Sequence, residues 1–201
     1  MDTKLIDELI NKLNIIKDKP PINSNILINN IINTMSENSK IYIFGIGRSG
    51  FVGKSFAMRL MHLGYNCYFI GESTCPAVNS NDLLIVISGS GETSTVVNLL
   101  NNIKNINNKL IKNNKPKIKV ISITNNNNCT LKELSDYIIN LNIEKDKDNN
   151  YNENKNYNIL FPLGTLFEEV SFIYLDTIIY NIMKKTNISE EDMKKRHCNF
   201  L

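Results

Sequence analysis

Two spacings of apolar residues alternate along the chain, one typical of helices and one typical of buried strands. Helical spacing fills residues 2–17, and a second helix follows the break at Pro20-Pro21. The predicted apolar side of this second helix consists of Ile22, Ile26, Ile31, Ile32 and Met35. Short apolar runs then predict strands at 41–45, 67–71, 83–88, 119–124 and 137–143.

Further helical segments are predicted at 49–62, 93–111 and 165–185, and Ser189-Glu190-Glu191-Asp192 has the capping signature of a short final helix. A chain that alternates strands with helices builds a parallel sheet covered on both faces. We therefore expect an α/β protein, a three-layer α-β-α sandwich around a five-stranded parallel sheet, with helical N- and C-terminal extensions.

The length of 201 residues fits one domain with a sizeable core. Within 1–201 we expect N-terminal helices at 1–38, a sheet core at 39–143, a polar insertion loop at 144–161 and C-terminal helices at 162–201. The part of the loop at 144–158 has no apolar residue except two tyrosines, and it is longer than the usual connection of 2–6 residues.

Composition changes the interpretation of the polar residues. The chain contains 34 Asn, 30 Ile and 20 Lys, an excess that an A/T-rich coding sequence would produce, so Asn alone is a weak sign of loops or disorder. A net charge of +3 is too small to indicate a nucleic-acid or membrane partner.

The chain starts with acids and Asn instead of the apolar run of a signal peptide, and its longest apolar run, Leu83–Ile87, is far shorter than the roughly 20 residues of a membrane span. We expect a cytoplasmic protein that binds neither nucleic acid nor membrane. The cysteines form no CxxC pair and the chain has 2 His, so we expect reduced thiols and no structural zinc site.

The first glycine-rich turn, Gly45-Ile46-Gly47-Arg48-Ser49-Gly50, lies between a predicted strand and a helix. This G-x-G-x-x-G pattern is typical of dinucleotide-binding sites, and Glu72 follows at the distance of a ribose-binding acid. The alternative is a tight turn that needs glycines and binds nothing.

The second turn, Ser88-Gly89-Ser90-Gly91-Glu92-Thr93, also follows a buried strand and opens a helix. Backbone N–H groups and the helix dipole favour an anion there, and hydroxyl groups donate to phosphate oxygens. Two such turns at one sheet, with Arg48 beside the first, favour a compact phosphorylated ligand. The alternative is a cluster of helix-capping residues without a ligand.

Four segments carry a resemblance to a known family. They read IFGIGRSGFVGKSFAMRLMHLGYNCYFIGE, LLIVISGSGET, PLGTLFEE and EEDMKKRHCNFL. They resemble the sugar isomerase (SIS) domain, and more narrowly the 6-phospho-3-hexuloisomerase family, over 2–201. The polar segment at 144–158 is longer than is usual in that family, and Cys198 stands where a small residue such as Ala is expected.

The resemblance implies a flavodoxin-like or Rossmann-like SIS fold and an isomerase that needs neither metal nor cofactor. Its reaction would interconvert D-arabino-hex-3-ulose 6-phosphate and D-fructose 6-phosphate, as in the ribulose monophosphate pathway that handles formaldehyde. Moving a ketone between C3 and C2 needs a base that removes a carbon-bound proton and a group that returns it one carbon away.

Glu168 is the candidate base, and Arg48 is expected to pair with the phosphate or to polarise the carbonyl and enediolate oxygen. Thr165-x-x-Glu168 is also a capping box at a helix start, so a structural role for Glu168 stays open. Glu169 is expected to face solvent or to be paired.

The phosphate is assigned to Ser49, Ser88, Ser90 and Thr93, with Gly47, Gly89 and Gly91 supporting the backbone. The resemblance implies a homotetramer in which His197 enters a neighbouring subunit's site, for ring opening or proton shuttling. The alternative is a frayed chain end. His62 is expected to cap its helix and to take no part in the chemistry.

Three other functions are open. An aldose–ketose isomerase of the arabinose 5-phosphate type would bind the phosphate in the same two glycine-rich turns, here called the phosphate cradle, but would move the carbonyl between a different pair of carbons. A phosphosugar sensor would bind without turnover, although no basic recognition helix precedes residue 39. A dinucleotide-binding protein would leave the second turn unexplained. The resemblance also suggests functional coupling to 3-hexulose-6-phosphate synthase.

Overall fold

A computed structural model describes residues 2–143 and 160–200 of the chain. Its sheet is parallel throughout, with the strand order β2-β1-β3-β4-β5. The strands are β1 (Ile41–Gly45), β2 (Cys67–Phe69), β3 (Leu83–Ile87), β4 (Lys119–Thr124) and β5 (Tyr137–Asn140). The predicted five-stranded parallel sheet is confirmed.

The helices follow the predicted order, with one addition, the single turn α5. They are α1 (Lys4–Asp18), α2 (Ser24–Ser36), α3 (Gly47–His62), α4 (Ser94–Lys112), α5 (Leu131–Leu134), α6 (Thr165–Thr186) and α7 (Glu190–Lys194). A 3-10 turn at Pro162–Gly164 leads directly into α6. The capping box predicted for α7 is present, since Ser189 and Asp192 each accept a hydrogen bond from the other's backbone N–H.

Alternate residues along each strand serve two apolar cores, and this gives the predicted three layers. Ile43, Ile85 and Ile123 face a core that includes residues of α2, α3 and α6. Tyr42, Leu84 and Val120 face a second core on the α4 and α5 side. Because both faces are covered, the strands read as continuous apolar runs.

One expectation about the helical extensions needs correction. The buried side of α2 is formed by Leu27, Ile28 and Ile31, whereas Ile22 precedes the helix and is 77% exposed. The abundance of Ile made a shifted face look equally apolar. The predicted polar loop lies mostly outside the described residues, and its last predicted residue, Phe161, is buried.

The strand order places the two glycine-rich turns side by side. From β1 the chain moves outward to β2, and from β3 it moves in the opposite direction to β4 and β5, so the order reverses between β1 and β3. Gly45 and Ile87 are register partners at the carboxyl ends of these strands. Ligands of open α/β sheets bind at this kind of reversal. None of the described helices is both long enough and apolar enough to span a bilayer.

Candidate active site

A cavity of about 400 Å³ opens where β1 and β3 end. The cavity is lined by Ile46, Ser49, Ile87, Ser88, Gly89, Ser90, Thr93, Asn125, Leu163, Gly164, Phe167 and Glu168. It brings together the four hydroxyl residues assigned to a phosphate and the carboxylate assigned to proton transfer. Gly47 and Gly91 shape the turns around it without lining it.

The turn after β3 offers hydrogen-bond donors to the cavity. The hydroxyl groups of buried Ser88 and of Thr93 share a hydrogen bond of 3.2 Å, and the Ser90 hydroxyl accepts from the Glu92 N–H at 3.2 Å. In the described part of the chain, the N–H groups of Ser90 and Thr93 have no acceptor. The turn leads into α4, whose N-cap is Thr93, and the helix dipole favours an anion at this end.

Two glycines of this turn are needed for close packing. A side chain on Gly89 would lie 2.9 Å from the ring of Phe167, which is how α6 comes close to the turn. Gly91 has a φ of +68°, and a side chain there would lie 2.5 Å from the sulfur of Cys129. The turn therefore has its shape fixed by α6 on one side and by the buried Cys129 on the other.

The turn after β1 contributes Ser49, which is buried in the first turn of α3. Gly47 permits the turn with a φ of +60°. Glu72, the acid that a dinucleotide site would need, is ion-paired with Lys54 at 2.7 Å and does not line the cavity. The second turn and Glu168 do line it, which disfavours the dinucleotide interpretation.

Glu168 reaches the cavity from the first turn of α6, and its side chain is only 13% exposed. The N-cap of α6 is Gly164, with a φ of +89°, and the Thr165 hydroxyl donates to the carbonyl of Pro162 at 2.7 Å. The capping-box interpretation of Thr165 and Glu168 is therefore wrong. Glu168 is free of that structural role and faces the cavity.

Arg48 does not line the cavity itself, but it bridges α3 to Glu168, which does line it. Its Nε donates to Oε2 of Glu168 at 2.7 Å, and its Nη2 donates to Oε1 of Glu169 at 2.8 Å. The hydrogen bond to Glu168, with the charges of both acids, raises the pKa of Arg48 despite some desolvation. Glu169 is paired, as one of the two expectations for it stated.

His197 lies far from the cavity of its own chain. It stacks on buried His62, with ring centroids 5.2 Å apart, at the C-terminal end of α3. Helix α3 has 16 residues and is about 24 Å long, and Ser49 lies at its other end. Within one subunit His197 therefore cannot contact a ligand in the cavity.

The expected capping role of His62 is wrong, because Arg196 takes that position. The Arg196 guanidinium donates to the backbone carbonyl of His62 at 3.3 Å, and a side chain on Gly64 would lie 3.0 Å from it. A cation there also complements the helix dipole. Burial, the His197 charge and the Arg59 charge lower the pKa of His62.

Six lining residues had no predicted role in the site: Ile46, Ile87, Asn125, Leu163, Gly164 and Phe167. Asn125 bonds both backbone groups of Ile143, accepting at 2.7 Å and donating at 3.2 Å, and so closes the end of β4. Its position directly after a strand was the available signal, but the excess of Asn hid it. Leu163, with a φ of +56°, is a strained residue that only the structure reveals.

A larger cavity, of about 550 Å³, lies between α1, α2 and α6. Its lining includes Lys17 and Tyr174 but no acid and no histidine. A proton-transfer reaction on a phosphorylated sugar needs both a base and anion donors, so the smaller cavity is the candidate active site. No group of three His, Cys, Asp or Glu within 2–143 and 160–200 could hold a metal ion.

The parallel sheet and its two glycine-rich turns are features of a class of protein, the SIS domain, and the sequence model of that family matches residues 34–158. The chain belongs to this family.

Several curated relatives are named 3-hexulose-6-phosphate isomerase, and two of them show the extent of the similarity. The protein from Methanocaldococcus jannaschii is 41% identical over 174 residues, which cover 87% of this chain and 84% of the relative. The protein from Bacillus subtilis is 30% identical over 197 residues, covering 98% of this chain and 97% of the relative.

A crystal structure from Methanococcus jannaschii, from which a molecular function of 3-hexulose-6-phosphate isomerase was inferred, is also similar. It matches with a TM-score of 0.78 and 39% identity over 98% of each chain. The similarity therefore extends over nearly the whole fold.

Proposed function

We propose that the chain is a 3-hexulose-6-phosphate isomerase, which interconverts D-arabino-hex-3-ulose 6-phosphate and D-fructose 6-phosphate. One observation carries the proposal: a carboxylate, Glu168, lines the same small cavity as the hydroxyl groups of the two glycine-rich turns. A sugar phosphate whose phosphate occupies the turns would extend toward this carboxylate. The similarity to relatives of that name over most of the chain supports the same activity.

The phosphate would be held by Ser49, Ser88, Ser90 and Thr93, helped by the N–H groups at the start of α4. These groups donate hydrogen bonds without needing to move, because the turns are fixed by packing. Arg48, which contacts the cavity-lining Glu168, would add a guanidinium donor beside the bound substrate.

The chemical step is a proton transfer between neighbouring carbons. With fructose 6-phosphate, Glu168 takes the proton from C3 and the C2 carbonyl oxygen gains a proton, which gives an enediol across C2 and C3. The proton then returns to C2, while the C3 hydroxyl loses its proton and becomes the ketone. General acid–base catalysis of this type contributes about 10²–10⁴ in rate.

Arg48 would stabilise the negative charge that develops on the enediolate oxygen. Its guanidinium already lies 2.7 Å from the carboxylate that removes the proton, so it is close to the reacting carbons. Such a fixed cation acts on the transition state more than on the bound substrate.

His197 would enter the site of a neighbouring subunit in a homotetramer. Phe51, Met58 and Met61 form an outward apolar stripe on α3 and are 72%, 45% and 40% exposed. If two copies pack their α3 helices antiparallel along this stripe, the C-terminal end of each helix approaches the N-terminal end of the other. His197 would then lie near the partner's Ser49.

The protein would work in the cytoplasm, where its reaction would follow or precede that of 3-hexulose-6-phosphate synthase. All four cysteines are free thiols, which suits a reducing compartment. An isomerase that moves a ketone between C3 and C2 needs a 3-hexulose phosphate, and an enzyme that forms an aldol bond would supply it.

The test is a coupled reaction that starts from fructose 6-phosphate and uses the synthase to cleave the hexulose phosphate that forms. Purified protein, fructose 6-phosphate and 3-hexulose-6-phosphate synthase should together release formaldehyde and ribulose 5-phosphate, and omission of either protein should stop the release. Turnover of a pentose phosphate alone would identify an aldose–ketose isomerase. Binding of sugar phosphates without any turnover would identify a sensor.

A further inference from the structure

Arg48 divides its two side-by-side donors between two carboxylates that are adjacent in sequence. Nε–H and Nη2–H lie on the same edge of the guanidinium, and such an edge commonly binds both oxygens of one carboxylate. Here Nε bonds only Oε2 of Glu168, because Nη2 is bonded to Glu169.

The division leaves one oxygen of Glu168 available. Within the described residues, no donor contacts Oε1 of Glu168, although Glu168 lines the cavity and is 13% exposed. If both donors were on Glu168, both oxygens would be tied up. A carboxylate with two strong charge-assisted bonds is a poorer base, since each bond stabilises its charged form.

Glu169 has no place in the cavity lining, and its side chain is 47% exposed. Its contact with the candidate site runs through Arg48, whose own side chain is 53% exposed. An exposed ion pair of this kind contributes little to stability, because water screens both charges. A role in orienting the guanidinium explains the contact better than a role in folding.

We propose that Glu169 is a positioning residue that draws one donor of Arg48 away from Glu168 and so leaves a carboxylate oxygen free to accept the substrate proton. The inference rests on the proposed function, since it assigns Glu168 as the base. It predicts that loss of the Glu169 carboxylate lets Arg48 turn and bond Glu168 through both donors. Proton abstraction then slows, while the phosphate cradle is untouched.

The first measurement is steady-state kinetics of Glu169→Ala with fructose 6-phosphate. We expect kcat to fall about tenfold, below the 10²–10⁴ loss expected for removing the base itself, and KM to change less than about twofold. Glu169→Asp should recover most of the lost kcat, because it restores an acceptor. Asp176→Ala, an exposed acid on the same helix, is the matched control and should leave both constants unchanged.

A double-mutant cycle separates action through Arg48 from any other effect. In an Arg48→Met background, Glu169→Ala should change kcat by less than about twofold, because the donor that Glu169 orients is gone. Equal losses in both backgrounds would overturn the proposal. So would a rise in KM at unchanged kcat, which would make Glu169 a substrate-binding residue.

A crystal structure of the Glu169→Ala protein gives a readout that needs no activity. We expect Nε and Nη2 of Arg48 on the two oxygens of Glu168, and an Arg48 that stays in place would overturn the proposal. If the wild-type protein fails to turn over fructose 6-phosphate, the proposed function fails, while this structure still decides whether Glu169 orients Arg48.

Discussion

Glu168 is distinguished from the other acids of the described chain by its neighbours rather than by its chemistry. It lies in the first turn of α6, lines the cavity and is bonded by Arg48 at 2.7 Å. A carboxylate that lines the cavity, is largely shielded from solvent and has one oxygen without a donor among the described residues is placed to accept a proton from a bound substrate.

Replacing Glu168 with Gln should remove the base and keep the shape of the site. We expect kcat to fall by about 10²–10⁴, with KM within about threefold of the wild-type value, because the phosphate donors are unaltered. Initial rates and a direct binding titration with fructose 6-phosphate check this. Glu133→Gln, an exposed control, should behave like the wild type, and near-normal kcat for Glu168→Gln would exclude it as the base.

Ser90→Ala should weaken the grip on the phosphate. A hydrogen bond to a charged group contributes about 1.5–3 kcal/mol, so KM should rise about tenfold or more with little change in kcat. The exposed Ser36→Ala on α2 serves as the matched control. Kinetics indistinguishable from the wild type would remove Ser90 from the cradle.

At this scale the sequence predicted residue types better than residue contacts. The place of Ser49, Ser88, Ser90 and Thr93 in the cavity lining was predictable, because each follows an apolar strand at a short distance. The bonds from Arg48 to Glu168 and Glu169 join positions 120 and 121 residues apart, and no local pattern carries that information. Asn125 was not predicted, because the chain has 34 asparagines and an Asn after a strand therefore carries little information.

Among the elements, α3 links the cavity to the chain's C-terminal segment. Its N-terminal end supplies Arg48 and Ser49, and its C-terminal end packs His62 under His197 and accepts a hydrogen bond from Arg196. The sequence predicted the helix itself, but the prediction that His62 caps its C-terminal end was wrong. The cation found there, Arg196, makes a tertiary contact from 134 residues away, which no local pattern predicts.

The buried His62 should make stability depend on pH. Its pKa is lowered by burial and by the His197 and Arg59 charges, so the unfolded chain, with a pKa of about 6.5, takes up the proton first. The contribution of neutral His62 to stability is therefore fully present above about pH 6.5, and it is lost as the pH falls through the lowered pKa of His62 in the folded protein.

Urea unfolding at pH 7.5 and pH 5.5 measures this effect. The wild type should lose more free energy of unfolding between the two conditions than His62→Gln does. His197→Gln should fall between them, because it removes one of the charges and leaves the burial. Identical pH dependence for the wild type and His62→Gln would contradict the assignment.

For the molecule as a whole, the open question is how His197 could reach a site that lies a helix length away. The apolar stripe on α3 offers a surface for a second copy, and antiparallel pairing there would bring the two ends of α3 together. The active unit would then be an oligomer with shared sites.

Mixing two inactive variants tests such sharing. In hybrids of Glu168→Gln and His197→Ala subunits, roughly a quarter of the sites should regain both groups and activity should return in proportion. Hybrid formation is confirmed by native mass spectrometry after joint refolding. Hybrids that form and stay inactive, or a His197→Ala protein with full activity, would contradict a shared site.

The register of the reaction can be seen at single carbons. Fructose 6-phosphate is incubated with the protein in D₂O and followed by NMR. We expect deuterium at C3 of fructose 6-phosphate together with new resonances of the 3-ulose, and neither signal with Glu168→Gln. Deuterium at C1 instead, or a spectrum that stays unchanged with the wild-type protein, would contradict a C2–C3 isomerase that uses Glu168 as its base.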